Sequence, residues 1–544
     1  MRISTFLCLT TALAAFAVPA FAQDDMSGMG GGMGGGQMGG GGMGGGMGGS
    51  GGGRGGGHHK GQGQGQKTAQ APTGPVNAMH APTEVPLSMR LTGVLIISGQ
   101  AKAISKGQVV STKPDMSAVY AERNAQVSID AVDLSGSGDI SLVADGRSSG
   151  LDSALLVGSQ SAVTVTGGHI STTGKGANAA FVSDPGSKLS LKDVAIATHA
   201  SDAFGVEATG GGSVLADGLT VVTSADRATA VAVQTPGSRA TLTGGHLSTA
   251  GSAANAFFIA GALDANGVTA ETGEGDGLMA EGARAVTLTD THLSAGGYGA
   301  MLYADNAAIR GAGPNGGGPG GGPGGPGGGP GGGPGGGHGG AGGPGGPGGG
   351  GQHEGPPAPS AQANSDALPL TGDAPLRRTD FTMTGGALKA HRALFYVTNL
   401  HAEITLDHVA AQSETGVLVR SAADDWGPLG RNGGEVHLVA RHQTLIGDFS
   451  TDVISSIALS MSDQSVLTGM TTPNVDVDMD ATSQWVLTGD TTVGKLVDAA
   501  IVGDSVPNIT GNGHTLTYDH RHNPQLANKT YALAGGGQLV PGGL

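Results

Sequence analysis

Short runs with apolar residues two positions apart recur along the middle of the chain: Val163-Thr164-Val165, Leu189-Ser190-Leu191, Val214-Leu215-Ala216, Ala240-Thr241-Leu242, Leu263-Asp264-Ala265 and Val286-Thr287-Leu288. Their first residues lie 26, 25, 26, 23 and 23 positions apart. A period of two places one side chain in a core and the next outside, so Val163 and Val165 are expected inward and Thr164 outward. Each repeat carries a second apolar step, such as Ile170, Val194 with Ile196, Leu219 with Val221, Leu247, Val268 and Leu293. A third follows at Ala179–Val182, Ala203–Val206, Ala230–Val233, Ala256–Ile259, Gly277–Ala280 and Gly299–Leu302. Three short strands per two dozen or so residues, divided by Gly, Ser, Asp and Asn, predict one coil of a three-faced, right-handed parallel β-helix.

Helical repeats do not fit, because these segments are rich in Val, Thr and Gly and show no apolar stripe of helical period. A leucine-rich repeat would show an Asn ladder and regular Leu spacing. Neither is present in the sequence. The theme resumes near Leu376 with longer runs at Phe381–Thr384, Ala393–Val397, Ala402–Leu406, Gly416–Val419 and Glu435–Val439. Roughly 16 coils at about 4.8 Å each are expected, in one elongated all-β solenoid.

Composition then divides the chain. It opens MRISTFLCLTTALAAFAVPAFAQ, with Arg2, an apolar stretch from Phe6 to Val18, and small Ala20 and Ala22. That is a secretory signal peptide pattern, with cleavage expected after Ala22 and a secreted or periplasmic destination. The sole cysteine, Cys8, falls in the leader, so a mature chain starting after it has no disulfides. Residues 23–78, rich in Gly and Met, are a low-complexity tether expected to be disordered. A glycine-rich tract with irregularly spaced proline, residues 311–365, is expected to be a disordered insertion. Collagen requires Gly at every third place, which this tract lacks. The expected organisation is therefore leader 1–22, tether 23–78, first β-helix block 79–310, insertion 311–365, and second block 366–544 with capping coils. With 27 Lys+Arg against 43 Asp+Glu and no basic stripe, nucleic acid is not an expected partner. No stretch after the leader approaches a membrane span.

Segments of the C-terminal third are more specific. Trp426-Gly427, Asn432-Gly433-Gly434, Gln443-x-Leu445-x-Gly447-Asp448, Ser465-Val466-Leu467-Thr468-Gly469 and Ser483-Gln484-Trp485-Val486-Leu487-Thr488-Gly489-Asp490-Thr491-Thr492-Val493-Gly494-Lys495-Leu496 occur in order. Over about 170 residues the chain resembles bacterial surface proteins with pertactin-like, autotransporter passenger β-helices. That resemblance implies a right-handed β-helix, an adhesin-like role at the cell surface, and closing coils in which Trp485, Leu487, Val493 and Leu496 form a structural cap. A translocator barrel of alternating apolar strands is not seen before Leu544, so export by another machine, or non-covalent attachment, is the expectation.

Candidate chemistry is sparse. Asp424-Asp425-Trp426, in a non-repeating loop from Ser421 to Asn432, could hold a sugar through an acidic pair beside an aromatic ring; the plainer reading is a turn with a packed tryptophan. Asp476-Val477-Asp478-Met479-Asp480 puts three carboxylates on one strand face, a chemistry that suits calcium only weakly, since the glycine turn and final Glu of a calcium loop are missing. Met26, Met29, Met33, Met38, Met43 and Met47 with His58-His59 are soft ligands for Cu(I), set against chance in a low-complexity tract. Outward Thr-x-Thr pairs at 164/166, 241/243, 287/289 and 382/384 do not form an unbroken ladder. No catalytic or metal-binding residue and no cofactor is therefore assigned. The expected function is presentation of a long surface to a glycan or cell-surface component. The alternative is a polysaccharide lyase or hydrolase with a groove at Asp424 and Asp425. The oligomeric state is not set by these patterns.

Overall fold

The period-two runs form strands with the predicted alternation. Ala162–Thr166 buries Val163 and Val165 and turns Thr164 outward, and Lys188–Lys192 buries Leu189 and Leu191 between exposed lysines. A computed structural model describes residues 90–282, 285–305 and 377–543, all within the unit Ala81–Leu544. The leader, the Met/His tract and the 311–365 insertion lie outside the described residues. Successive strands pair in parallel, each with its equivalent one turn away, and the result is a parallel β-solenoid of about 15 turns.

Three faces enclose the core. Among the described residues face A has twelve strands, from Gly93–Ser98 through Leu155–Val157 and Phe257–Ile259 to Asp448–Thr451. Face B carries the first apolar step of each repeat, as in Ala162–Thr166 and Arg378–Thr384. Face C carries the second, as in His169–Thr172 and Ala195–Thr198. In the first turns one long strand, Gln126–Gly136, serves both B and C. The turns on either side of residues 306–376 pair directly: Val286 lies opposite Phe381, His292 opposite Ala387 and Ala300 opposite Phe395. Core side chains stack in ladders, and each buried Val or Leu contributes about 1.5–3 kcal/mol relative to exposure.

Face A departs from simple alternation. Leu155–Val157, Ala180–Val182, Val231–Val233 and Phe257–Ile259 are buried at every residue. Their outward side chains run in register from Tyr120 through Leu156, Phe181, Glu207, Ala232, Phe258, Met279 and Met301 to Tyr396. Turn segments and a short helix, Val143–Ser149, cover them. The helix ends at Gly150, left-handed at φ 70°, where a Cβ would stand 2.3 Å from the Phe181 ring. A strand buried on both sides reads as a continuous apolar run, and these third steps are such runs.

The turns from C to A are tied by an inward threonine ladder, Thr172, Thr198, Thr223 and Thr249. The Thr198 hydroxyl donates to the Ala203 carbonyl at 3.0 Å, and Thr249 to that of Ala254 at 2.6 Å. Thr223 does the same to Ala228.

At the C-terminal end Trp485, Leu487, Val493 and Leu496 are fully buried. They sit within the stacked core: Trp485 pairs with Leu467 on one side and Ile509 on the other, and its indole N–H donates to the Gly469 carbonyl at 3.0 Å. The strand edges are closed further along, by a hairpin that the sequence reading did not single out. Tyr531–Ala534 continues one parallel stack, Gln538–Gly542 continues the other, and the two pair antiparallel. Such pairing removes free edges that would recruit other chains.

Candidate functional site: an aromatic platform outside face A

The outward ladder of face A ends in an aromatic cluster in which Tyr396 and Tyr303 are buried and the half-buried Tyr298 and Trp426 lie against them. Tyr396 projects from the strand Phe395–Thr398, and Tyr298 approaches from the preceding C-to-A turn. Their rings stack with centroids 4.9 Å apart and planes 17° from parallel. The Arg392 guanidinium lies 5.4 Å from the Tyr298 centroid. Tyr303, at the end of Ala300–Tyr303, meets Trp426 at 4.9 Å and 45°. Met279 and Met301 fill the space behind.

The loop predicted to hold ligand supplies one wall. Trp426 is half-buried on Tyr303, Asp424 is half-buried, and Asp425 is exposed. The Tyr396 hydroxyl donates to Asp424 Oδ2 at 2.6 Å, and the Asp425 N–H donates to Asp424 Oδ1 at 2.8 Å. The loop is pinned at its base, where the Ser421 hydroxyl donates to the Gly434 carbonyl at 2.8 Å and the Ala423 N–H to Asp452 at 2.7 Å. Gly427, at φ 79°, passes so close to Asn399 that a Cβ would lie 2.4 Å from its Oδ1. The three predicted residues are therefore held in a loop anchored to the neighbouring turns.

Electrostatics at the platform are set by burial. Desolvation, followed by the hydrogen bond to Asp424, raises the Tyr396 phenol well above its ordinary value. Burial and then the charges of Glu281 and Asp305 do the same to Tyr303, whose hydroxyl lies 3.5 Å from Glu281 Oε2. The Glu281 carboxyl is itself raised, by burial first and Asp305 second. Asp276, which accepts the Tyr298 N–H at 2.8 Å, is pushed up to about 6 by burial. Tyr303 and Tyr396 therefore stay neutral donors across the ordinary pH range. Both Asp424 oxygens are already engaged, an arrangement suited to fixing Tyr396 rather than to attacking a bond.

Sequence reasoning missed Tyr298, Tyr303, Tyr396, Glu281 and Arg392. Their available signal was rarity: the chain has 2 Trp and 6 Tyr, and one Trp with three Tyr meet here. Elsewhere, Asp476 accepts the Lys495 N–H at 2.7 Å and Asp480 accepts the Ser483 N–H at 2.8 Å, so two of the three aligned carboxylates shape turns. The outward threonines alternate in register with Ser190, Leu215 and Asp264, as the interrupted ladder predicted. On face B, Glu403 binds His401 at 2.9 Å and His437 at 2.8 Å. Burial works against ionisation there, but the two histidine hydrogen bonds prevail and hold its carboxyl below the usual range. Neither a protein family nor a curated protein matches this chain.

Proposed function

We propose that this chain is an exported, adhesin-like or matrix-type solenoid that holds glycan on the half-buried rings of Tyr298 and Trp426, backed by the buried Tyr396 and Tyr303. The carrying observation is the cluster of four of the eight tyrosines and tryptophans, with the rings of Tyr298 and Trp426 half-buried at its surface over the buried Tyr396 and Tyr303, in a chain with only 3% aromatic residues. Aromatic faces receive the apolar side of a sugar ring, while the exposed Asp425 carboxylate and Arg392 meet its hydroxyl groups. The leader-like N-terminus and the resemblance to passenger β-helices support placement at the cell surface or in the periplasm.

Glu281, with its raised carboxyl, gives the polysaccharide-cleaving reading its best support, since such chemistry pairs a protonated acid with an ionised partner. A glycan array and a polysaccharide depolymerisation assay on the same full-length sample separate the two. Binding is expected without turnover, and Trp426→Ala or Tyr298→Ala should weaken it by about 1–3 kcal/mol. Turnover that disappears in Asp424→Asn, Asp425→Asn or Glu281→Gln would replace the binding reading with the enzymatic one.

A further inference from the structure

On the opposite side of the solenoid, the turns from face B to face C pass through left-handed backbone at the residue that follows the face B strand. Successive rungs include Asp193 (φ 52°), Gly218 (64°), Gly267 (65°), Asp290 (44°), Gly385 (66°), His408 (57°), His442 (47°) and Asp463 (58°). Glycine adopts this conformation freely, and aspartate tolerates it better than most residues do. Two histidines on adjacent rungs are a different choice. Their side chains are 64% and 46% exposed, so packing does not account for them.

The two imidazoles stack, with centroids 4.5 Å apart and planes 22° from parallel. Asp407 stands beside them. Its Oδ1 lies 2.5 Å from His408 Nδ1 and 3.3 Å from His442 Nδ1. One ligand atom from each of the three residues falls within 4.8 Å of the others. The spacing of the rungs is fixed from below by the buried Gln443. Its carboxamide accepts the Val409 N–H at 2.9 Å and donates to the Val409 carbonyl at 2.6 Å, joining the residues that follow the two histidines. Of the neighbouring charges, Arg441 lies opposite Asp407 in register, and Asp463 occupies the next rung.

We propose that Asp407, His408 and His442 form a surface site for a first-row divalent ion, Zn²⁺ or Cu²⁺, bridging two successive turns. Two imidazole nitrogens with one carboxylate oxygen are the donor set such ions prefer, whereas calcium takes oxygen alone. Three protein ligands leave coordination positions open on the solvent side. The site is independent of the platform on face A, so either can fail without the other.

The test is a Zn²⁺ titration by calorimetry on the full chain, compared with His408→Gly/His442→Gly. Glycine is the substitution of choice, because Gly218 and Gly385 occupy equivalent rungs, so the turns keep their fold. The variant should lose about one equivalent of bound zinc per chain and the zinc-dependent rise in Tm, while its metal-free Tm is no lower. Asp407→Asn, which leaves both imidazoles in place, should bind about tenfold more weakly or worse. Copper EPR of the wild type should show coupling to two nitrogens, falling to one in His442→Gly. Zinc stoichiometry unchanged in the double variant, or wild-type protein that binds no zinc or copper, would overturn the proposal.

Discussion

At the residue scale, Trp485 shows how a single side chain can hold several turns. Its ring has no exposed surface, and its N–H is satisfied by the Gly469 carbonyl. Truncating a buried tryptophan costs about 3–5 kcal/mol. In a stacked solenoid that loss falls first on adjoining turns. Trp485→Ala should therefore open the region beyond about Val466 to protease while the turns at 160–300 stay protected. Trp426→Ala, on the half-buried platform, should cost much less. Hydrogen exchange that finds the C-terminal turns of Trp485→Ala as protected as before would remove this account. Asp276 gives a second residue-scale expectation, in pH. Its folded value of about 6 lies above the ordinary 3.8. Between those values the folded state keeps a proton that the unfolded chain has released, so stability falls as pH rises through the window. Asp276→Asn still accepts the Tyr298 N–H but has nothing to ionise. Its urea midpoint should vary less between about pH 4 and 6 and exceed the wild-type value above that. A midpoint that falls with pH as steeply as in the wild type would assign the slope to other groups.

At the scale of elements, what could be read from the sequence was what alternation encodes. Faces B and C were legible because one side meets the core and the other meets water, so Leu189 and Leu191 alternate with polar neighbours. Face A was legible as strands but not as a doubly covered sheet. Runs such as Phe257-Phe258-Ile259 carry no alternation, and the cover comes from turns whose placement depends on the whole stack. Glu207 marks the same limit. In sequence it is one acidic residue in an Ala- and Val-rich step, yet in the fold it is fully buried, its carboxyl raised by desolvation and bonded to Asn178 at 2.6 Å. The platform followed the same rule. Asp424, Asp425 and Trp426 are neighbours in sequence and could be named, while Tyr298 and Tyr396 become neighbours only through a strand register that spans residues 306–376. The terminal hairpin was missed because its turn, Gly535-Gly536-Gly537, with φ of 66°, 85° and 96°, resembles the glycine tracts elsewhere in the chain.

At the scale of the whole molecule, the same register predicts how the solenoid responds to losing part of its chain. The turns before and after residues 306–376 already hydrogen-bond to one another on all three faces, with Leu288 opposite Met383, Leu293 opposite Leu388 and Leu302 opposite Val397. Nothing in those pairings requires the glycine-rich stretch 311–351. Changing the length of a connection alters closure entropy only logarithmically, by about 0.6 kcal/mol per doubling. Stability in a stacked array is set by each turn and its neighbours, and both survive the deletion. Removal of residues 311–351 should therefore leave a single cooperative transition, with Tm within a few degrees of the wild type by calorimetry. Amides of Ala300 and Leu302 should remain protected in hydrogen exchange, since their partners across the junction are unchanged. If the deletion instead separates unfolding into two steps, one per block, the stretch contributes to the interface that joins them, and the direct strand pairing is not sufficient to couple the two halves.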